Sequence, residues 1–191
     1  MDPVQIRILD KAEELFSKYG YSKTKMEEIA SSLKISRKTL YKFYSNKQDL
    51  LEFYLDHRQK INTQILNQIA DDESLSAVEK FNKMHKTFVE DSPSTMLDEF
   101  IREISELFPH ITENITKFRE TELPKILSRI FNAAKKKGEL RDGFMPEVAV
   151  HLFLASIDKL INNRFSITVP LNIHQFQNEV VNVIFYGILK R

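Results

Sequence analysis

Thr24-Lys25-Met26-Glu27-Glu28-Ile29-Ala30-Ser31-Ser32-Leu33-Lys34-Ile35-Ser36-Arg37-Lys38-Thr39-Leu40-Tyr41-Lys42-Phe43-Tyr44 is the stretch that decides how this chain folds. Thr24, with Glu27 three residues later, forms the pattern of a capping box at the start of a helix. Met26, Ile29, Ala30 and Leu33 then recur at helical spacing and make one apolar face. Lys34 and Ile35 leave that helix, and Ser36 can cap the next. In the second helix Leu40, Phe43 and Tyr44 share a face. Lys38, Tyr41 and Lys42 point away from it, with Arg37 and Thr39 on the flanks. Two short helices, a tight turn and a basic second helix are the outline of a DNA-reading helix-turn-helix.

Charge sharpens this reading. Arg37 and Lys38 stand in the first turn of their helix, where the macrodipole disfavours cations by about 0.3–1 kcal/mol each. From Lys34 to Lys47 there are five basic residues and no acidic ones. A polyanion laid against this face converts the penalty into attraction. Net charge is only +1, but residues 1–50 carry ten Lys and Arg against seven Asp and Glu, a balance of +3. Residues 51–191 carry 18 against 20, a balance of −2. The basic footprint is local. On these grounds Thr24, Lys25, Ser36, Arg37, Lys38, Thr39, Tyr41, Lys42 and Lys47 are the expected DNA-facing residues. Tyr41 and Lys47 are expected on phosphates, and Arg37, Lys38 and Thr39 near base edges.

Working outward, the segment from Ile6 to Leu51 resembles the N-terminal domain of TetR-type transcriptional regulators. Ile8, Leu9, Ala12, Leu15, Phe16 and Tyr19 resemble the family's first helix, ended by Gly20. Tyr21-Ser22-Lys23-Thr24 is similar to the approach to the second helix, and Ile29-Ala30 matches its Ile-Ala pair. Ile35 to Tyr44 resembles the recognition helix, and Ser45-Asn46-Lys47-Gln48-Asp49-Leu50-Leu51 the start of the fourth. Two positions depart: Lys38 stands where the family often has a small residue, and Tyr44 where Phe is usual. The resemblance implies an all-α protein: an N-terminal three-helix DNA-binding domain with a helix-turn-helix, plus a larger C-terminal helical domain for ligand binding and dimerisation.

The 191 residues suffice for one large or two small domains, and 42% hydrophobic content supports a real core. No apolar run approaches the roughly 18 residues of a membrane span. With no cysteine, disulfides and thiolate metal sites are excluded. A cytoplasmic protein is the expectation. Ser45 and Gln48 form a second capping-box pattern, opening a long helix lined by Leu50, Leu51, Tyr54, Leu55, Ile61, Ile65, Leu66 and Ile69. Its middle, Asp56-His57-Arg58-Gln59-Lys60, is polar, as in a helix that bridges two cores. The domains are therefore expected as residues 1–47, for DNA binding, and 48–191, for effector binding and dimerisation. Further helices are expected near 76–91, 94–107, 111–137, 146–165 and 173–190. Pro146 suits a first turn, and Pro124 should kink or split its helix.

The segments around Val148–Ala155 and Val180–Leu189 are apolar nearly all round, so both their faces require burial. One monomer core covers one face, and a second subunit is expected on the other. The resemblance implies the same, a dimer formed through the last two helices. Phe153, Ile157, Val181, Ile184, Phe185 and Ile188 are the expected interface. Twelve of the fourteen phenylalanines lie beyond residue 50. Phe81, Met84, His85, Phe88, Phe100, Ile104, Phe118 and Phe153 are candidates to line the effector pocket that the resemblance implies, although each also reads as plain core. His85 and His110, with Asp98 and Arg102, supply polar groups near that lining. No Glu-x-x-His or His-Glu-x-x-His pattern occurs, so no metal or other cofactor is expected.

Three functions compete. One is a dimeric regulator, a repressor released from two-fold symmetric double-stranded DNA by a small-molecule effector. Another is a helical lipid or small-molecule carrier with a vestigial helix-turn-helix. The last is an all-helical enzyme, for which no paired carboxylates, activated nucleophile or phosphate loop stand out. The intact basic face favours the first.

Overall fold

Apolar spacing in the first sixteen residues already dictates how the chain starts. In a computed structural model that describes residues 1–87, 100, 103–161, 179–180 and 182–183, Pro3–Tyr19 is helix α1. Asp2 caps it, its carboxylate accepting from the Val4 N–H at 2.7 Å. Ile8, Leu9, Ala12, Leu15 and Phe16 form its buried stripe, and Tyr19 at its end is exposed. Helices α2 (Met26–Ser32), α3 (Arg37–Phe43) and α4 (Lys47–Asp71) follow. After them come α5 (Ala77–His85), α6 (described over residues 103–107), α7 (Pro109–Lys136) and α8 (Pro146–Ile161). Among the described residues every regular element is a helix, apart from a single bridge position at Leu140. None of these helices is long and apolar enough to cross a membrane.

The chain forms two compact units, Met1–Thr63 with Thr95–Asn114, and Gln64–Ser94 with Ile115–Arg191. The division falls inside α4 rather than at residue 47. The physical reason is visible along that helix: Leu50, Leu51 and Tyr54 enter one core, while Leu66, Ile69 and Ala70 enter the other. Between them Asp56 and Lys60 pair in solvent at 2.7 Å. Residues 95–114 join the N-terminal unit from far along the sequence.

In the N-terminal unit Ile8, Ala12, Phe16, Ile29, Leu40, Tyr44, Leu50 and Leu51 are almost wholly buried. At about 1.5–3 kcal/mol for a fully buried large apolar side chain, they supply most of its cohesion. Phe100 stacks on Phe16 with ring centroids 5.8 Å apart, and Tyr54 meets both edge-on. In the C-terminal unit Phe81, Ile126, Leu127, Ile130, Phe131, Ala149 and Val150 form the core. Lys80 is buried there with its ammonium donating to the Ala70 carbonyl at 2.7 Å, which satisfies an orphan carbonyl in the last turn of α4. Pro109 and Pro146 each open a helix, where no N–H is missed. Pro124 lies within α7, which runs as one helix across it instead of splitting. The expected helix near 173–190 falls almost entirely outside the described residues.

Candidate nucleic-acid interface

Three side chains anchor the recognition helix from behind. Leu40 and Tyr44 are fully buried and Phe43 packs against the same cluster. Ser36 caps α3, its hydroxyl accepting from the Thr39 N–H at 3.0 Å. This anchoring leaves Arg37, Lys38, Tyr41 and Lys42 exposed on one outer face, with Thr39 at its margin. Tyr41 is 44% exposed, unusual for a ring with no solvent role. Arg37 comes within 3.5 Å of Glu27, but both side chains are well solvated, so the pair is weak and Arg37 stays available.

The turn between α2 and α3 is built from backbone hydrogen bonds. The Ile35 N–H donates to Ala30 O and the Lys34 N–H to Ser31 O, both at 3.0 Å. Together they form a Schellman motif, and Lys34 takes the left-handed position with φ 56°. Glycine is the usual occupant there. A lysine accepts strain of about 1–2 kcal/mol at that position, and it adds a cation beside the recognition helix. Lys34 was not among the expected site residues, and nothing in its spacing marked it.

Neither capping box that the sequence suggests forms, and each helix starts one residue later. Thr24 does not cap α2. Its side chain is 1% exposed, and its hydroxyl donates inward to Gly20 O at 2.9 Å and Leu15 O at 3.2 Å. Thr24 is therefore removed from the expected DNA-facing set, because its only hydroxyl is spent inside. Lys25 stands at the cap position, and its N–H donates to the Glu28 carboxylate at 3.0 Å. Likewise Asn46, not Ser45, caps α4: its Oδ1 accepts from the Asp49 N–H at 2.9 Å, and Asp49 in turn accepts from the Ser45 N–H at 2.7 Å. Gln48 bonds Glu52 instead.

Lys47 also departs from expectation. Its ammonium donates to Tyr21 O at 2.9 Å, Thr24 O at 3.0 Å and Ser22 O at 3.4 Å, and lies 4.2 Å from the Tyr21 ring centroid. In the free protein this side chain ties down the turn before α2 rather than reaching for a phosphate. Burial pushes its pKa down, and the nearby Glu103 and Glu28 charges oppose that.

Glu103 completes the clamp. Its carboxylate accepts from the Tyr21 N–H at 2.7 Å and the Ser22 N–H at 2.9 Å. Burial pushes the carboxyl up, but hydrogen bonding by Ser22 and Tyr21 and the charge of Lys47 outweigh it and hold it below its ordinary range. Gly20 makes room for this contact, since a Cβ there would stand 3.0 Å from Glu103 Oε2, and its φ of 83° suits glycine. The turn at 20–24 is thus held on its N–H groups by an anion and on its carbonyls by a cation. Partners about 80 residues apart leave no periodic signal, so Glu103 was not found from sequence.

The expected pocket residues divide between the two units. Phe81 and Met84 are buried in the C-terminal core, with Phe118 and Phe153 packed against it. Phe100 and Ile104 belong to the N-terminal core. Phe88 and the side chain of His85 lie outside the described residues. On α8, Phe153 turns toward its own unit and meets Phe81 with centroids 5.8 Å apart. Val148 and Leu152, one helical turn apart, are 44% and 56% exposed. The side chain of Ile157, and Val181, Ile184, Phe185 and Ile188, lie outside the described residues.

Residues 8–53 match the family model described as bacterial regulatory proteins, tetR family. Over its length the chain is similar to YvaF, an uncharacterised HTH-type transcriptional regulator of Bacillus subtilis (strain 168). The two are 25% identical over 182 residues, covering 95% of this chain and 94% of the relative. Its fold is similar to that of a transcriptional regulator from Saccharomonospora viridis solved in complex with choline. That pair has a TM-score of 0.72 at 20% identity, covering 98% of each chain. SmeT, repressor of the Stenotrophomonas maltophilia multidrug efflux pump SmeDEF, solved with triclosan, gives 0.68 at 16% identity, covering 99% of this chain and 93% of that one.

Proposed function

The chain belongs to the TetR family of bacterial regulatory proteins and is a transcriptional regulator, and from that premise we propose that it acts in the cytoplasm as a dimeric repressor, released from a two-fold symmetric DNA site by a small molecule. The observation that carries the DNA half is the outer face of α3: Arg37, Lys38, Tyr41 and Lys42 exposed together over a buried Leu40–Tyr44 anchor. In this reading Arg37, Lys38 and Thr39 approach base edges in the major groove. Tyr41, Lys42 and Lys25 meet phosphates, and Ser36 holds α3 in register. Lys47 contributes through the turn it ties down and through the backbone at the start of α4.

A two-fold dimer places its recognition helices in successive major grooves about 34–36 Å apart. The stripe of Val148 and Leu152 on α8 supports such a pairing, since exposed aliphatic side chains one turn apart gain from a matching surface. Release then requires a ligand that prefers a different spacing. To swing the population from 1:99 to 99:1 that preference must reach about 5.5 kcal/mol. We place the ligand in the C-terminal unit near Phe81, Met84, Phe118 and Phe153, which share one apolar cluster. The ligands of the two structural relatives, choline and triclosan, support an effector-binding role without identifying this chain's effector.

The test is selection of binding sites from random duplex DNA, followed by a gel shift at several salt concentrations. The expected result is a sequence with two half-sites and affinity that falls steeply with salt. Binding without sequence preference, or none, would overturn the proposal in favour of a carrier.

A further inference from the structure

Arg119, half-buried on α7, is the one charged side chain among the described residues that has sealed donors without partners. Its Nε and Nη1 are sealed from solvent and make no hydrogen bond. Only Nη2 finds an acceptor, Thr116 Oγ1, at a long 3.5 Å. A guanidinium carries five N–H donors in a rigid fork and stays charged at any accessible pH. Leaving two nitrogens of such a group sealed from water without acceptors costs stability, even though the residue as a whole is only half-buried.

The carboxylates that α7 itself could offer are elsewhere. Glu113 and Glu120 are exposed, and Glu122 accepts from Lys125 at 2.7 Å. Arg129, the other arginine of this helix, shows the contrast: it is exposed and paired with Asp71 at 3.3 Å. Arg119 is flanked by Phe118 and Leu123, both packed against the apolar core of the C-terminal unit. A half-buried guanidinium with unpartnered donors beside apolar side chains is what an amphipathic anion complements, its oxyanion on the fork and its body against the rings.

We propose that Arg119 anchors an anion-binding subsite in the C-terminal unit, and that the effector is an organic carboxylate with an apolar body. This rests on the effector reading given above and adds the charge of the ligand to it. The carboxylate takes two parallel N–H···O bonds from one edge of the guanidinium, and the apolar body takes the surface near Phe118. Cationic ligands such as choline are excluded by the same charge.

The test uses the full chain and matched probes: octanoate against octanamide, and 4-phenylbutyrate against its amide, with choline as a cationic control. Binding is read by thermal shift and by release of selected DNA. Each acid should bind at least about tenfold more tightly than its amide, the value of a hydrogen bond to a charged group. Choline should give no shift. Arg119→Met should erase the preference for acids, and Arg119→Lys, which keeps the charge and loses the fork, should retain part of it. Because Arg119→Met also removes sealed donors without partners, its ligand-free melting temperature should rise above that of wild type.

Amides that bind and release DNA as well as the acids overturn the anion subsite and leave the effector reading standing. An acid preference that survives Arg119→Met does the same. A fall in ligand-free melting temperature for Arg119→Met means the guanidinium has a structural partner, and the inference fails. If neither acids nor amides bind while DNA binding is intact, the effector reading fails and the subsite with it.

Discussion

The two units of this protein invert each other. On its recognition helix the N-terminal unit buries the apolar anchor and displays cations: Arg37, Lys38 and Lys42 stand in water over Leu40 and Tyr44. The C-terminal unit displays apolar side chains and draws cations inward, with Val148 and Leu152 in water, Lys80 buried and two nitrogens of the Arg119 guanidinium sealed from solvent. Each inversion marks a surface that is incomplete alone. A row of solvated cations asks for a polyanion, and an exposed aliphatic stripe asks for its own copy. Lys80 is different in kind, because Ala70 O already satisfies it. What separates a structural cation from a binding one is whether its partner lies in the chain.

The most severe way to break this comparison is to make the α8 stripe polar. Val148→Asp with Leu152→Asp should convert the dimer to monomer in light scattering while leaving the helical signal intact. Neither side chain belongs to the buried core, so folding should survive. Loss of the second recognition helix should lower apparent affinity for a two-half-site DNA by about 10²–10⁴. A double variant that remains dimeric would place the interface elsewhere.

On the other unit, Lys38→Ala should relax preference at one base position, at about 1–3 kcal/mol, without altering stability. The measurement is site selection repeated with the variant. An unchanged preferred sequence would show that Lys38 contributes charge alone. Lys42→Ala should instead weaken all sequences evenly and flatten the salt dependence by about one unit.

Much of the N-terminal unit was legible because its signals are local. Ser36 caps α3 by reaching three residues ahead, and Leu40 and Tyr44 face inward by spacing alone. The helix caps are read one residue early. Asn46 caps as well as Ser45 does, whereas Thr24 is a better cap than Lys25 and is lost to tertiary demand. Thr24 is drawn inward to the carbonyls of Gly20 and Leu15, which leaves Lys25 at the helix start. Glu103 carries no signal and Phe100 reads as a pocket residue because both pack against residues some 80 positions earlier. Apolar spacing tells that Phe100 is buried and cannot tell in which core. Arg119 is invisible in sequence, since an unpaired charge is defined by what surrounds it.

The clamp on the turn at 20–24 sharpens the comparison, because here the N-terminal unit also holds charge inside and fully partners it. Glu103→Gln should cost about 1–2 kcal/mol of stability, since two N–H donors lose an ionised acceptor that is partly solvated. The pH dependence gives the sign. The folded carboxyl lies below its ordinary range. Its stabilisation is therefore present above the unfolded value and is lost as pH falls through the folded one. Urea unfolding should show wild type and Glu103→Gln converging on the acid side and separating toward neutrality. A constant gap across acid pH would mean the carboxylate is not what holds the turn.

The smallest expected effect is the most discriminating about why the exposed face is basic. Lys34 holds a left-handed conformation, φ 56°, that glycine adopts freely. Lys34→Gly relieves strain of about 1 kcal/mol and returns part of it through a more flexible unfolded chain. The net should be a gain in stability of about 0.5 kcal/mol or less, with the Schellman bonds from Ile35 to Ala30 and Lys34 to Ser31 kept. If the lysine is retained for its charge, the same variant should bind DNA more weakly and lose about one unit of salt slope. Lys34→Asn separates the two causes, since Asn tolerates the left-handed region without the cation. It should match Lys34→Gly in salt slope. Should both variants keep the wild-type slope, Lys34 stands outside the DNA footprint, and the cationic face narrows to Arg37, Lys38 and Lys42 on α3 itself.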